Sequence, residues 1–172
     1  IDPRPVVPEH EAKSESAETT FACDTRDREF LKTMLLGHAE RVGASLRRHG
    51  LRGRTVTLKV KFADFRQITR SRTLPEATDS TETLYEIGTA LLEAEALPQP
   101  VRLIGLGVSG FGNAPTQELL PGVFRGVRGR DPEQEARRRR LDAALDNLRG
   151  KFGKQAVQRG RLFRPRDDGE DD

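Results

Sequence analysis

The chain has 172 residues, of which 34% are hydrophobic and 33% charged, with a net charge of +3. This length suits one domain of about 100 to 150 residues plus a tail, and it excludes a multi-domain enzyme. No run of about 18 apolar residues and no leader segment is found, so we expect a cytoplasmic protein with no membrane partner. The single cysteine, Cys23, excludes an internal disulfide, and three scattered histidines predict no metal site.

Charge is distributed unevenly along the chain. Residues 41–72 carry ten Arg and Lys against one acid, Asp64, whereas residues 73–98 carry six acids and no Lys or Arg. From this layout we expect one basic and one acidic face, and a basic face favours a polyanion as partner.

The first half of the chain predicts a Pro-rich linker over residues 1–12, followed by a strand, a helix and a strand. We expect this linker to join the chain to the rest of a longer protein. Residues 14–21 are short and polar, as in an edge strand. Residues 27–49 show helical spacing, with Asp24 or Thr25 to cap the helix and Gly50 to end it. Residues 54–65 alternate, which places Val56, Leu58, Val60 and Phe62 on one face and Thr55, Thr57, Lys59 and Lys61 on the other.

The second half predicts a strand, a helix and a strand after a turn at residues 63–66. Residues 67–74 form the antiparallel partner of the preceding strand, and Arg70 and Arg72 project from one of its faces. The helix begins at Asp79-Ser-Thr-Glu82 and continues to Pro98. Residues 101–111 are apolar and β-branched, which is typical of a central strand.

This order predicts an α+β, ferredoxin-like βαββαβ fold, a four-stranded antiparallel sheet with two helices on one face. The other face of the sheet stays open to solvent or a partner. Residues 113–172 predict a largely flexible tail, because residues 113–130 are rich in Gly and Pro. Asp131-Pro132-Glu133 begins one helix in this tail, over residues 132–150.

The open face is the predicted binding surface. Four cations, Lys59, Lys61, Arg70 and Arg72, lie there among three hydroxyls, those of Thr55, Thr57 and Ser71, and this mixture suits a phosphate backbone. Phe62 is expected in the core and Phe65 at an edge, so no aromatic is left to stack bases, and binding should not depend on sequence. The glycines of Gly105-Leu-Gly107 lie inside a strand, where they allow close packing rather than cradle a phosphate.

Four stretches resemble the C-terminal little finger domain of Y-family translesion DNA polymerases of the bacterial DNA polymerase IV type. They are Lys13-Ser14-x-x-x-Glu18-x-Thr20-Phe21, Gly53-Arg-Thr-Val-Thr-Leu-Lys-Val60, Ile68-Thr-Arg-Ser-Arg-Thr-Leu74 and Val101-Arg-Leu-Ile-Gly-Leu-Gly-Val-Ser109. Glu15-Ser16 departs from the family, which usually has an aliphatic residue and a glycine there.

The resemblance implies that residues 13–112 grip primer-template DNA through backbone phosphates for DNA repair and lesion bypass. Arg70, Ser71 and Arg72 match the family's phosphate-contacting strand, and Thr55, Thr57, Lys59 and Lys61 lie beside them. Nucleotidyl transfer and its magnesium belong to a separate palm domain that this chain lacks, so the fragment alone is expected to have no cofactor and no polymerase activity.

The resemblance also implies a motif for the sliding clamp after the last strand. The candidate is Gln117-Glu-Leu-Leu-Pro-Gly-Val-Phe124, in which Gln117, Leu119, Leu120 and Phe124 would make the contacts. Pro121 stands where the family usually has an aromatic residue, and an unstructured linker is the alternative.

A second hypothesis is a protein-interaction module that recruits partners through the sheet edge and the tail helix. Salt dependence distinguishes this hypothesis from DNA binding, because phosphate binding weakens steeply as salt rises and binding through an apolar interface does not. A stand-alone RNA binder is a third hypothesis, and the missing aromatics count against it.

Overall fold

A computed structural model describes residues 14–112, 131–154 and 156–160. The elements in chain order are β1 (Ser14–Thr25), α1 (Arg28–Arg48), β2 (Gly53–Phe62), β3 (Gln67–Thr78), α2 (Thr81–Glu93), β4 (Val101–Phe111) and α3 (Pro132–Phe152). The predicted α+β fold with one further helix is confirmed. The predicted linker at residues 1–12 and the arm at residues 113–130 lie outside the described residues.

The four strands form one antiparallel sheet in the order β1-β4-β2-β3. The helix α1 connects β1 to β2, which run parallel with β4 between them. In the same way α2 connects β3 to β4 across β2, which is the split βαβ arrangement. β1 is an edge strand and β4 a central one, as their sequences predict.

The core lies between the sheet and the two helices α1 and α2. Alternation along β2 points Val56, Leu58, Val60 and Phe62 into it, each at most 1% exposed. The helices meet these side chains with Leu31, Leu35, Leu46, Leu84 and Leu92, all fully buried. Burying one such side chain stabilises the fold by about 1.5–3 kcal/mol. We call this side of the sheet the packed face.

Side-chain caps fix where the two core helices begin. The Asp27 carboxylate accepts hydrogen bonds from the backbone N–H groups of Glu29 (2.9 Å) and Phe30 (3.1 Å), so α1 begins at Arg28. The predicted caps Asp24 and Thr25 are wrong, because both residues still belong to β1. Ser80, rather than Asp79, caps α2 by accepting from the Thr83 N–H.

The tail helix α3 contacts α1 and the start of α2 mainly through ion pairs. Arg47 of α1 donates to Asp146 (2.5 Å) and to the Asp79 carbonyl (2.7 Å). Asp142 is only 2% exposed, and it accepts from the Thr81 N–H (3.0 Å) and from Arg159 (2.8 Å). Arg47 also lies 3.4 Å from Asp142, so a buried carboxylate is surrounded by donors on three sides.

Five of the six acids in residues 73–98 are paired with cations from other segments, so the acidic segment is largely neutralised within the fold. Arg138 of α3 binds Glu86 at 2.6 Å and lies 3.7 Å from Glu82. Further pairs join Arg70 to Glu95, Lys32 to Glu93, and Arg52 and Arg139 to Asp79.

An apolar stripe along α3 points to solvent. Leu141, Leu148 and Phe152 are 49%, 41% and 70% exposed, respectively. Charged residues on the adjacent side of the helix make the contacts with α1 and α2. No helix among the described residues is long and apolar enough to cross a bilayer.

Replacing Arg47 with Met removes the cation that α1 places beside the buried Asp142. We expect the free energy of unfolding to fall by about 2 kcal/mol or more, because a buried carboxylate loses a partner. Urea unfolding measures this change, and limited proteolysis of α3 shows whether the helix has detached. Arg140→Met is the matched control, since Arg140 is exposed and reaches only the Ala136 carbonyl of its own helix at 3.4 Å. Equal stability of the two variants would contradict the expected role of Arg47.

His38 gives the fold a pH dependence of defined sign. Its ring is 2% exposed, and Nε2 donates to the Ile104 carbonyl at 3.2 Å. Burial lowers the pKa of His38 below its usual range, outweighing the hydrogen bond to Ile104 that favours the charged ring. The unfolded chain therefore takes up this proton at a higher pH than the folded chain does.

We expect stability to be retained above about pH 6.5 and to decline as the pH falls through that value. Urea unfolding at about pH 7 and about pH 5.5 measures the decline. His38→Gln, whose amide can still donate to the Ile104 carbonyl, should show a smaller difference between the two pH values. An identical pH dependence in both proteins would exclude His38 as its source.

Candidate nucleic-acid interface

The open face is the side of the sheet away from α1 and α2. Register defines its rows: Thr57 lies between Gly107 of β4 and Ser71 of β3, and Lys59 lies between Gly105 and Thr69. The full set on β2 is Thr55, Thr57, Lys59 and Lys61, all of which are partly exposed. The predicted placement of these four side chains is confirmed.

The predicted placement of Arg70 and Arg72 on this face is wrong. Arg70 pairs across the sheet with Leu58 and Arg72 with Val56, so both arginines lie on the packed-face side of β3. Arg70 reaches Glu95, just beyond α2, with contacts of 2.5 and 3.1 Å. Ser71 lies on the open face, opposite Thr57. The structure thus brings together five of the predicted residues and separates these two arginines from them.

An ion pair crosses the open face from β1 to β2. Lys59 Nζ lies 2.8 Å from Glu18 Oε2, and the two side chains are 35% and 51% exposed. A pair this exposed contributes about 1 kcal/mol at most, so another anion can replace the carboxylate. Glu15, the departure from the family pattern, pairs with the buried Val108 and lies toward the packed face instead.

Two glycines of β4 open a groove along the middle of this face. The groove has a volume of about 260 Å³, and its lining includes Ser16, Thr57, Lys59 and Ser109. A Cβ at Gly105 would lie 2.9 Å from Glu18 Cβ, so glycine is needed there for β1 to approach. A Cβ at Gly107 would lie 3.4 Å from Ser16 Cβ, which is an ordinary contact. The groove therefore offers hydroxyl and ammonium donors to an oxyanion.

An exposed aromatic with nearby cations lies at the hairpin end of the open face. Phe65 is 61% exposed and has φ of +65° in the turn between β2 and β3. Lys61 Nζ and Arg102 Cζ lie 5.2 and 4.6 Å from its ring centroid. A left-handed conformation costs a residue with a side chain roughly 1–2 kcal/mol. Phe65 is predicted from the sequence only as an edge residue, although an aromatic residue after Asp64 in a tight turn is a signal for such an exposed ring.

Other predicted features contribute less to this surface. Gln117, Leu119, Leu120 and Phe124, the proposed clamp contacts, lie outside the described residues. Cys23 is exposed on β1. Among the described residues no three His, Cys, Asp or Glu side chains are grouped as metal ligands.

Comparison with known proteins gives one family and several relatives. The impB/mucB/samB family C-terminal domain matches residues 12–120. A DNA polymerase IV of Dehalococcoides mccartyi is 37% identical over 169 residues, which are 97% of this chain and 40% of that protein. This chain thus spans about 40% of the length of that relative.

Two solved structures share the fold. One, described as a complex of beta-clamp processivity factor and little finger domain of PolIV, has a TM-score of 0.50 at 20% identity and covers 64% of this chain and 99% of that one. The other, a post-insertion binary complex of Dbh DNA polymerase, has a TM-score of 0.51 at 15% identity and covers 57% of this chain and 28% of that one.

Substituting the two groove glycines separately tests the close approach of β1. Gly105→Ala is expected to lower the free energy of unfolding by about 1–3 kcal/mol, because the new methyl meets Glu18. Gly107→Ala is the matched control: it has room for a methyl and should leave stability unchanged or raise it by up to about 1 kcal/mol. Thermal unfolding of both variants measures the difference, and equal effects would contradict the packing described.

Proposed function

We propose that this chain, which belongs to the impB/mucB/samB family as its C-terminal domain, is the DNA-holding part of an error-prone polymerase that synthesises past lesions. Its task is to grip primer-template DNA through backbone phosphates. Nucleotide addition, and the magnesium it requires, would belong to a palm domain in the part of the protein beyond these 172 residues.

The observation that carries this proposal is the composition of the open face. Donors from two neighbouring strands, β2 and β3, line one surface: the hydroxyls of Thr57 and Ser71, and the ammonium groups of Lys59 and Lys61. Hydroxyls and lysines of this kind are common partners of phosphate oxygens, and they carry no sequence information. Lys59 exchanges its exposed Glu18 partner for a phosphate. The groove at Gly105 and Gly107 lets the DNA backbone approach the sheet.

Arg70 and Arg72 are proposed as secondary phosphate contacts. They project from β3, the outer strand of the sheet, so their long side chains reach DNA only around this edge. Arg70 would also have to leave Glu95, with which it makes two hydrogen bonds. This geometry makes their contribution smaller than that of the lysines.

The sliding clamp is the proposed protein partner, through Gln117, Leu119, Leu120 and Phe124. Support comes from the little finger of PolIV, which was solved together with a beta-clamp processivity factor. The alternative function, a protein-interaction module, is favoured by one observation, the exposed apolar stripe of α3.

Two double charge reversals with the same change in net charge test the proposal. Lys59→Glu with Lys61→Glu alters the open face, and Arg70→Glu with Arg72→Glu alters the opposite side of the sheet. Fluorescence anisotropy with blunt duplex DNA across a salt series should show the larger loss for the lysine pair. The slope of log affinity against log salt should fall by about two for that variant, one for each lost phosphate contact.

A larger loss of DNA affinity in the arginine variant would indicate that the main phosphate contacts lie at the edge of β3 instead. No binding by the intact chain at low salt, or binding that is insensitive to salt, would contradict phosphate gripping and favour the interaction module.

A further inference from the structure

Phe65 adopts a backbone conformation that its side chain does not favour. The Phe65 N–H donates to the Phe62 carbonyl and the Phe62 N–H to the Arg66 carbonyl, both at 2.9 Å, which closes a tight turn. Phe65 occupies the left-handed position of this turn, and within the described residues it is the only residue other than glycine with a positive φ. Glycine or asparagine would close the same turn without strain.

Burial does not explain the phenylalanine either. Its side chain is 61% exposed, and no other large hydrophobic side chain of residues 14–112 is exposed. A strained and exposed aromatic reduces stability in two ways, and residues held in strained conformations are found preferentially at functional sites. The ring is therefore better explained by something that it binds.

The surroundings of the ring indicate the chemistry of that ligand. Lys61, on the open face, and Arg102, on β4, both lie within cation–π distance of the Phe65 centroid. Arg102 is held by Asp24 at 3.2 Å, while Arg66 lies over the neighbouring Phe62 ring. An aromatic surface flanked by cations is the arrangement that binds single-stranded nucleic acid, with a base on the ring and phosphates on the cations.

We propose that Phe65 is a stacking site for an unpaired DNA base, with Lys61 and Arg102 contacting the phosphates beside that base. This inference extends the proposed function, because it places single-stranded DNA at the hairpin end of the same open face that grips the duplex. The open face then holds two kinds of DNA: paired DNA along the hydroxyl and lysine rows, and an unpaired nucleotide at the hairpin tip.

Substitution of Phe65 separates binding from stability. Phe65→Asn relieves the backbone strain, so its melting temperature should rise or stay equal. Its affinity for a duplex with a single-stranded thymidine extension should nevertheless fall about tenfold, while its affinity for the blunt duplex stays unchanged. Phe65→Tyr, which retains an aromatic ring, should bind both DNAs as the unsubstituted chain does.

Phe65→Trp gives a direct signal, because the chain contains no tryptophan. Stacking of a base on the indole should quench its fluorescence with the extended duplex and with single-stranded oligothymidine, and not with the blunt duplex. If neither the extended duplex nor single-stranded oligothymidine quenches the tryptophan fluorescence, the proposal is overturned. Equal losses for the blunt and extended duplexes in Phe65→Asn would also overturn it, because the ring would then only position Lys61 and Arg102.

Failure of this inference is distinguishable from failure of the proposed function. If the lysine double reversal leaves blunt-duplex binding intact while Phe65→Asn weakens binding of the extension, phosphate gripping by the open face fails and the stacking site stands. If the lysine reversal abolishes blunt-duplex binding and Phe65→Asn changes neither affinity, the grip stands and the stacking site is excluded.

Discussion

The register of β2 against its two neighbours determines which side chains share a surface. Leu58 aligns with Leu106 on β4 and Arg70 on β3, and the next residue, Lys59, aligns with Gly105 and Thr69. Because side chains alternate, a slip of β3 by one residue would exchange its two faces and bring Arg70 onto the open face. The turn at residues 63–66 sets this offset, so the conformation of Phe65 and the chemistry of the sheet surface are linked.

Charge pairing determines how much of the basic sequence is available to a partner. Arg47, Arg70 and Lys59 are each engaged by carboxylates, and α3 supplies two of those carboxylates, Asp142 and Asp146. These pairs differ in exposure: Asp142 is buried and is screened little by salt, whereas the Lys59–Glu18 pair is exposed and weak. An anion therefore displaces Glu18 from Lys59 more readily than it disrupts the ion pairs that hold α3.

The fold was predictable because its strands and helices carry clear periodicities. The bounds of β4 and the buried side of β2 agree with the alternation and composition of their sequences, and the family resemblance is confirmed by the match over residues 12–120. The face of β3 was predicted wrongly although its sequence carries the signal: Ile68 and Leu74, which pack against the core, alternate in phase with Arg70 and Arg72. By contrast, no local pattern reveals the pair between Glu40 and Arg149, 109 residues apart. Phe65 was missed because its importance lies in a backbone angle and in Arg102, which comes from a different strand.

The position of β3 as an outer strand has a consequence for self-association. A bare outer strand presents unpaired backbone groups to which a second copy can add a strand, and natural sheets prevent this with charges and prolines. Arg70 and Arg72 project from β3, and Pro75 farther along it has no N–H to donate. Arg70 and Arg72, on the packed-face side of β3, place two charges beside this outer strand, as expected of a sheet edge that resists pairing with a second copy. Selection for solubility alone would preserve them.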